Sequence, residues 1–331
     1  MRLWAIEGFS IALIFTISGL SACTLGNIRS KSTDALLMTR DRCEADPNFV
    51  FIPAAAFVSG SDRAERDYAY RISAEAAAGS PDKVAQAEQR LRQRRWFDGE
   101  PERRQHPSEQ SRSDRKQEAE AAIALPAFCL GRNLVTNAEY QAFIQATGHP
   151  PPGISAADYQ EQGFLVHPYK DVKPFLWQGD RYPAQEGQHP VVLVSYEDAI
   201  AFAQWKGKQD GTTYRLPTAL EWEKAARGTD GRYFPWGNEW RNEATNWADS
   251  GLWHTSPIAA FPLSRSPYGV EDMAGNVFEF TSTLVKRRDR TRAVMKGCSW
   301  DDLPGFCRAA YRHTRPIESR HILFGFRLVR Q

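Results

Sequence analysis

A glycine-interrupted turn close to residue 275 carries two carboxylates whose spacing could hold a metal ion. It lies within the stretch 266–280, which is too apolar for a solvated loop yet keeps neither a helical nor a strand period. Asp272 and Glu279 offer carboxylate oxygens, and the backbone at Gly275 and Val277 can offer carbonyl oxygens, which is the ligand set that calcium prefers. Two solvent-exposed acids beside a buried turn are the alternative interpretation, since the spacing is not that of an EF-hand. The residues alone leave both interpretations open.

The cysteines could form either a structural framework or thiolate ligands. Apart from Cys23 near the N-terminus, they are Cys43, Cys129, Cys298 and Cys307. An even number in an oxidising compartment permits two disulfides, for which four cysteines allow three pairings. The sequence does not choose among these pairings, and free buried thiols are a further alternative.

The sequence contains no further motif that indicates an enzyme class. The chain has neither a Gly-x-Ser-x-Gly nucleophile elbow nor a glycine loop that could cradle phosphate. Its seven histidines are scattered, and the sequence predicts no metal-ligand pair at helical spacing among them. The formal net charge of +2 gives no indication of nucleic acid or a membrane surface as a partner.

The first residues predict a secretory leader over 1–23. Arg2 precedes an apolar run at 9–20 that is too short to span a membrane. The run ends in Leu20-Ser21-Ala22-Cys23, which resembles the bacterial lipobox, in which the cysteine is lipidated and becomes the mature N-terminus. We therefore expect a periplasmic lipoprotein anchored through Cys23, at the outer membrane because Thr24 rather than aspartate follows. An ordinary cleaved signal is the alternative.

A polar tether is expected at 24–45, and the helices and strands that position the candidate residues come after it. A domain over 46–331 is expected to open with a strand at 49–53 and to carry a charged insertion at 61–120. The insertion is rich in arginine, glutamate and alanine, with a helix predicted at 82–95 and a mobile, nearly apolar-free run at 103–116.

Three later helices have explicit start signals. Thr136 with Glu139, and Ser195 with Asp198, have the spacing of a capping box, in which the cap side chain and the third helical residue bond each other's backbone. Thr218 is expected to cap a third helix over 219–227.

Nine short motifs then occur in a fixed order. They are Val135-Thr136-Asn137, His189-Pro190-Val191, Val194-Ser195-Tyr196-Glu197-Asp198-Ala199, Arg215-Leu216-Pro217-Thr218, Glu221-Trp222-Glu223, Ala225-Ala226-Arg227-Gly228, Pro235-Trp236-Gly237, Gly275-Asn276-Val277-Phe278-Glu279 and Gly325-Phe326-Arg327-Leu328. In this order they resemble the formylglycine-generating enzyme (sulfatase-modifying factor) family, over roughly 49–329 with the interruption at 61–120.

The resemblance implies a single α+β domain of that family's fold. The fold is related to C-type lectins and has modest regular structure, much coil and calcium sites. One family calcium site falls on the turn introduced above, at Asp272, Gly275, Val277 and Glu279. The other falls near Asn246, Trp247 and Asp249.

The resemblance also implies that the family's copper chemistry is lost. Generating enzymes oxidise a substrate cysteine with oxygen, using two thiolates that hold Cu(I), and soft thiolates suit this soft ion. Cys307 falls on the second family cysteine, but Asp302 falls on the first, and a hard carboxylate is a poor Cu(I) ligand. Cys298 replaces a family glycine and could pair with Cys307 on copper only after the backbone rearranges. Ser299 matches an active-site serine that carries no chemistry alone.

The expected function is accordingly that of a copper-free, non-catalytic envelope protein that binds and regulates a protein partner. A kinase ectodomain or an envelope lipoprotein is the expected partner, as in the family branch that acts upstream of the threonine kinase controlling type VI secretion. The alternatives are a periplasmic oxidase of the pyoverdine-maturation type and a generating enzyme that uses Cys298 and Cys307. No nucleic acid partner is expected, and membrane contact is expected only through the lipid anchor.

Overall fold

The computed structural model describes residues 40–41, 43–98, 122–163, 166–287 and 290–331. The predicted leader with Cys23, the tether as far as residue 39 and the charged run 103–116 lie outside the described residues. The described residues form one compact unit. Across the described ranges, no helix is both long enough and apolar enough to cross a membrane.

Ten strands in the described ranges build three sheets. They are β1 Phe49–Ile52, β2 Ala55–Phe57, β3 Ile123–Leu125, β4 Phe128–Gly131, β5 Tyr214–Arg215, β6 Phe278–Arg287, β7 Arg290–Lys296, β8 His313–Pro316, β9 Phe324–Gly325 and β10 Val329–Arg330. The first sheet has the order β1-β4-β10-β5, with antiparallel pairs. β2 and β3 form a separate antiparallel pair. The third sheet has the order β8-β7-β6-β9, in which β6 and β9 are parallel.

The first sheet is covered on both faces. Because successive side chains of a strand point to opposite faces, Phe49 packs into the larger apolar core, whereas Val50 and Ile52 pack into a smaller one with Trp222. Burial on both faces explains why β1 and β4 are almost continuously apolar rather than alternating.

Seven α-helices in the described ranges surround these sheets. They are α1 Arg63–Ala77, α2 Val84–Gln93, α3 Asn137–Thr147, α4 Ala156–Gln162, α5 Tyr169–Val172, α6 Tyr196–Asp210 and α7 Ala219–Arg227. The three predicted N-caps are confirmed, since Thr136, Ser195 and Thr218 each close a capping box at the start of α3, α6 and α7. Each cap satisfies helix amides that would otherwise lack partners.

The first part of the predicted insertion is folded into the core. Over 61–98 the chain forms α1 and α2, and Phe97 is fully buried against Tyr70, with ring centroids 4.8 Å apart. Glu65 of α1 has no exposed side-chain surface and pairs with Arg227 and Arg308 at 3.2 Å each. This segment therefore belongs to the domain, because a charge buried at this depth is stable only with such partners.

Candidate functional site

The turn that carries the predicted calcium ligands has left-handed backbone at three residues. Asp272, Gly275 and Asn276 have φ angles of 53°, 78° and 65°. A side chain at Gly275 would collide with the hydroxyl of Thr245 and the carbonyl of Asn246, so only glycine fits. Asn276 donates its N–H to the carbonyl of Asn246 at 2.9 Å. The glycine therefore marks a close crossing of two loops.

Glu279 already has a fixed cationic partner. Its Oε2 accepts from Nε of Arg327 at 2.6 Å and its Oε1 accepts from Nη2 at 2.8 Å. Both side chains are excluded from solvent. The same Nη2 also donates to the carbonyl oxygen of Asp272 at 3.3 Å. A calcium ion at this turn would have to share Glu279 with the guanidinium.

Asp272 is the carboxylate of this turn that best fits a cation. It is 3% exposed, and its Oδ2 accepts from the backbone N–H of Ala259 at 2.8 Å. Burial raises the pKa of Asp272 to about 6, and the neighbouring Glu271 and Glu279 act in the same direction against the Ala259 N–H and Arg327. A bound cation would relieve this excess of negative charge, so Asp272 fits calcium well and Glu279 fits it only in part.

The residues of the second predicted calcium site differ in burial, since Asn246 and Trp247 are buried and Asp249 is exposed. Both ends of the buried Asn246 amide are engaged, since Oδ1 accepts from Ser250 at 2.8 Å and Nδ2 donates to the carbonyl of His254 at 2.8 Å. Trp247 is buried and donates its indole N–H to a backbone carbonyl at 2.9 Å. Asp249 is exposed. Asn246 thus holds its own loop together.

The two cysteines of the predicted copper stretch form a disulfide. Cys298 and Cys307 are bonded to each other, and Cys43 is bonded to Cys129, which resolves the pairing that the sequence left open. Cys298 and Cys307 are fully buried. The Sγ of Cys298 accepts from the N–H of Gly275 at 3.0 Å, so this disulfide lies against the predicted calcium turn. Metal ligation requires free thiolates, which a disulfide does not offer.

Asp302, which the sequence places opposite a predicted copper ligand of the family, forms hydrogen bonds within its own turn. Its Oδ2 accepts from the backbone N–H of Ser299 at 2.8 Å and from the Ser299 hydroxyl. Burial raises the pKa of Asp302 to about 6, although these bonds from Ser299 oppose the shift. Its carbonyl accepts from the N–H of Ala248 at 3.2 Å and so joins this turn to the 246–254 loop.

Three side chains that the sequence did not single out converge near this loop. Glu186, His189 and His254 each offer one ligand atom, and these atoms lie within 4.8 Å of one another. Glu186 and His189 belong to one turn, whereas His254 comes from the loop that Asn246 holds. All three residues are half-buried.

A groove of 1250 Å³ opens beside the 3₁₀ turn Pro304–Cys307, which ends in the second cysteine of the disulfide. Its apolar lining includes Tyr68, Trp240, Trp247 and Pro304. Its charged lining consists of Arg71, Glu75, Glu239, Arg241, Glu243 and Asp249, which is four acids against two bases. The groove is therefore aromatic and net acidic.

A family model described as a sulfatase-modifying factor enzyme 1-like domain matches residues 98–331. The chain belongs to this family. The resemblance predicted from the nine motifs is therefore confirmed.

Relatives of this sulfatase-modifying factor chain include an oxygenase, a generating enzyme and a protein named as inactive. Hercynine oxygenase of Mycolicibacterium smegmatis is 31% identical over 241 residues, which cover 62% of this chain and 53% of that protein. Formylglycine-generating enzyme of Mycobacterium tuberculosis is 33% identical over 202 residues, 49% of this chain and 65% of that protein. Inactive C-alpha-formylglycine-generating enzyme 2 of Bos taurus is 40% identical over 126 residues, 35% of this chain and 40% of that protein. The chain thus spans about half the length of these relatives.

Two solved structures show the same fold. PvdO from Pseudomonas aeruginosa superposes with a TM-score of 0.56 at 21% identity, covering 86% of this chain and 94% of that chain. CarF superposes with a TM-score of 0.51 at 19% identity, covering 85% of this chain and 97% of that chain. The predicted α+β fold of the sulfatase-modifying factor family is confirmed.

Proposed function

We propose that this chain is a copper-free member of the sulfatase-modifying factor family that acts by binding a segment of a protein partner. The proposal depends on the disulfide in the predicted copper-binding segment 298–307. Cys298 and Cys307 are joined to each other, and the family resemblance implies that Asp302 stands at the position of the first copper cysteine. With no thiolate pair at this position, Cu(I) loses the soft ligands that it requires.

The groove beside Pro304–Cys307 supports binding. It borders the stretch that holds the copper cysteines in the generating enzymes, and aromatic side chains in a groove give large contact area at low entropic cost. Its excess of acidic side chains favours a basic or neutral peptide segment. The name of the bovine relative, an inactive generating enzyme, is consistent with a scaffold that has been kept without the chemistry.

The proposal includes a cellular setting. A lipid anchor at Cys23 would hold the protein in the periplasm at the outer membrane, where a kinase ectodomain or an envelope lipoprotein of a type VI secretion pathway is the partner we propose. Calcium at Asp272, Gly275, Val277 and Glu279 would brace the turn that contacts the Cys298–Cys307 disulfide. The competing function is that of a periplasmic oxidase, of the pyoverdine-maturation type or with Cys298 and Cys307 reduced on copper.

Copper binding separates these functions. The full chain, purified oxidised, is titrated anaerobically with Cu(I) against a chromophoric chelator, beside a variant that combines Cys298→Gly with Asp302→Cys. We expect no retained copper in the wild-type protein and about one equivalent in the variant, because the substitutions restore two thiolates at the family's positions. Stoichiometric Cu(I) in the wild-type protein, together with oxidation of a cysteine peptide, would overturn the proposal.

Partner binding is tested by site-specific photo-crosslinking in intact cells. The crosslinking residue is introduced at Asn242 inside the groove and, as the matched control, at exposed Lys208 on α6. We expect a discrete adduct from position 242 that is absent from position 208 and is weakened by Glu243→Lys in the groove. Equal adducts from both positions, or none from the groove, would contradict a binding role for this surface.

A further inference from the structure

The turn at 183–189 holds Glu186 and His189 in a fixed arrangement. The backbone carbonyl of Glu186 accepts from Nδ2 of Asn137 at 2.9 Å, and that of His189 accepts from the N–H of Asn137 at 2.9 Å. The carbonyl of Gly187 accepts from the N–H of Ala138 at 3.0 Å. The start of α3 therefore anchors the whole turn, so both side chains leave a rigid backbone.

His254 approaches from the other side and completes a group of three. Its Nε2 lies 3.5 Å from Oε1 of Glu186, and the ring centroids of His254 and His189 are 5.8 Å apart. Its ring stacks on Phe175 with centroids 4.1 Å apart and planes inclined by 7°, which fixes the imidazole orientation. An apolar wall on one side and solvent on the other is the usual setting of a metal with open coordination positions.

One residue orients both imidazoles through their second nitrogens. The hydroxyl of Thr255 lies 2.9 Å from Nδ1 of His189 and 3.2 Å from Nδ1 of His254. The Thr255 carbonyl lies 3.3 Å from the same nitrogen of His254. Metal-ligating histidines characteristically donate their other ring N–H to such an oxygen, which leaves Nε2 for the metal.

The charges also favour a cation. The carboxylate of Glu186 faces the imidazole of His254. Within the described ranges, no arginine or lysine forms an ion pair with Glu186. Burial lowers the pKa of His189, and the proximity of His254 lowers it further.

We propose that Glu186, His189 and His254 form a binding site for a divalent first-row transition metal. Two imidazole nitrogens and one carboxylate oxygen are a ligand set used by Zn²⁺ and by non-haem Fe²⁺ centres that keep open positions, whereas calcium and magnesium prefer oxygen ligands alone. The site is separate from the calcium turn and from the copper stretch, and it goes beyond the proposed binding function.

The test uses the tag-free full chain. After removal of metals with a chelator, the protein is dialysed against Zn²⁺ or, anaerobically, Fe²⁺, and bound metal is counted by mass spectrometry, while Co²⁺ serves as a spectroscopic probe. We expect about one ion per chain and visible Co²⁺ bands of low-symmetry nitrogen and oxygen ligation. Glu186→Gln and His254→Ala are expected to weaken binding by at least about 100-fold, since loss of a supporting residue alone costs about 10- to 100-fold.

Matched variants keep the result decisive. His149→Ala removes a half-buried imidazole that pairs with Asp198 away from this group and should leave binding unchanged. Thr255→Val should weaken binding by about 10- to 100-fold and Thr255→Ser should restore it, because valine lacks the hydroxyl that contacts both imidazoles and serine keeps it. No bound ion in the wild-type protein, or an equal count in His149→Ala and the isosteric Glu186→Gln, would overturn the site. A native circular dichroism spectrum of Glu186→Gln excludes unfolding as the cause.

Discussion

At the residue scale, the carboxylate of Asp302 closes the turn that begins at Ser299. A carboxylate oxygen accepts N–H and O–H bonds strongly, and Asp302 accepts both from Ser299. A thiolate at the same place would be a weaker acceptor and a better soft-metal ligand. With Cys307 committed to Cys298, these residues now connect the 298–307 segment internally rather than present an open pair of ligands.

Asp272 gives a pH-dependent prediction. Its pKa of about 6 in the folded protein exceeds the ordinary value of 3.8, so the folded state binds the proton more tightly than the unfolded state. Stability from this group is therefore lost as pH rises from about 4 to about 6, by about 3 kcal/mol at pH 7. In chelator, Asp272→Asn should be more stable than the wild-type protein at pH 7 and similar to it at pH 4. Urea unfolding at several pH values measures the difference, and a difference that does not vary with pH would contradict it.

The same variant separates calcium binding from ion pairing. Calcium that binds only the folded protein should raise the unfolding temperature of the wild-type protein and have little effect on Asp272→Asn. Glu279→Ala is a poor test, because it leaves Arg327 buried without its carboxylate and destabilises the fold with or without calcium. An equal calcium response in the wild-type protein and Asp272→Asn would exclude the site.

At the scale of elements, α1 is fixed by a charge that lies in the core. Glu65 contacts Arg227 and Arg308, and Glu223 pairs with Arg227 at 3.0 Å and with Lys296 at 3.3 Å. The two carboxylates and three cations have almost no exposed side-chain surface. Burial lowers the pKa of Lys296, while Glu223 opposes that shift. The network ties α1 to α7 and to β7.

Glu65→Gln should destabilise the domain by about 3–5 kcal/mol, because it removes the buried carboxylate that Arg227 and Arg308 share, although Arg227 keeps its pair with Glu223. The matched control on the same helix is Glu75→Gln, whose side chain is 50% exposed in a surface pair with Arg71 and should change stability by less than about 1 kcal/mol. Urea unfolding followed by circular dichroism measures both. Similar small effects from the two variants would mean that the buried network contributes little.

The sequence predicts those elements whose signals are local. Thr136 and Glu139 are three residues apart, so the start of α3 can be read from a short window, and the same holds for α6 and α7. The burial of Glu65 cannot be read in this way, because its partner Arg308 lies 243 residues further along the chain. From its charged local sequence Glu65 would be predicted to lie on the surface, because the arginine that pairs with it is brought near only by the tertiary fold.

The candidate sites follow the same division. The four predicted calcium ligands could be proposed from the sequence because they span only eight residues, from Asp272 to Glu279. Glu186 and His189 have a readable spacing of three residues, but the threonine that orients His189 is 66 residues away. The sequence therefore could not predict this group of three, because it depends on two loops that only the tertiary structure brings together.

At the scale of the whole molecule, the two disulfides close loops of very different length. Cys43–Cys129 joins the N-terminal segment to β4 across 86 residues, whereas Cys298–Cys307 spans 9. The loop-entropy relation gives about 4.6 kcal/mol of stabilisation for the longer loop and about 2.6 kcal/mol for the shorter one. The long disulfide therefore contributes mainly to global stability, and the short one mainly to the local shape of the copper stretch.

Paired substitutions test this division. Cys43→Ala with Cys129→Ala should lower the free energy of unfolding by about 2 kcal/mol more than Cys298→Ala with Cys307→Ala, by the same relation. Since all four side chains are at most 4% exposed, the packing losses are comparable and the comparison isolates loop length. Urea unfolding of both double variants gives the difference. If removal of the short disulfide costs as much as removal of the long one, the 298–307 segment contributes to global stability through its contact with Gly275 rather than through chain entropy.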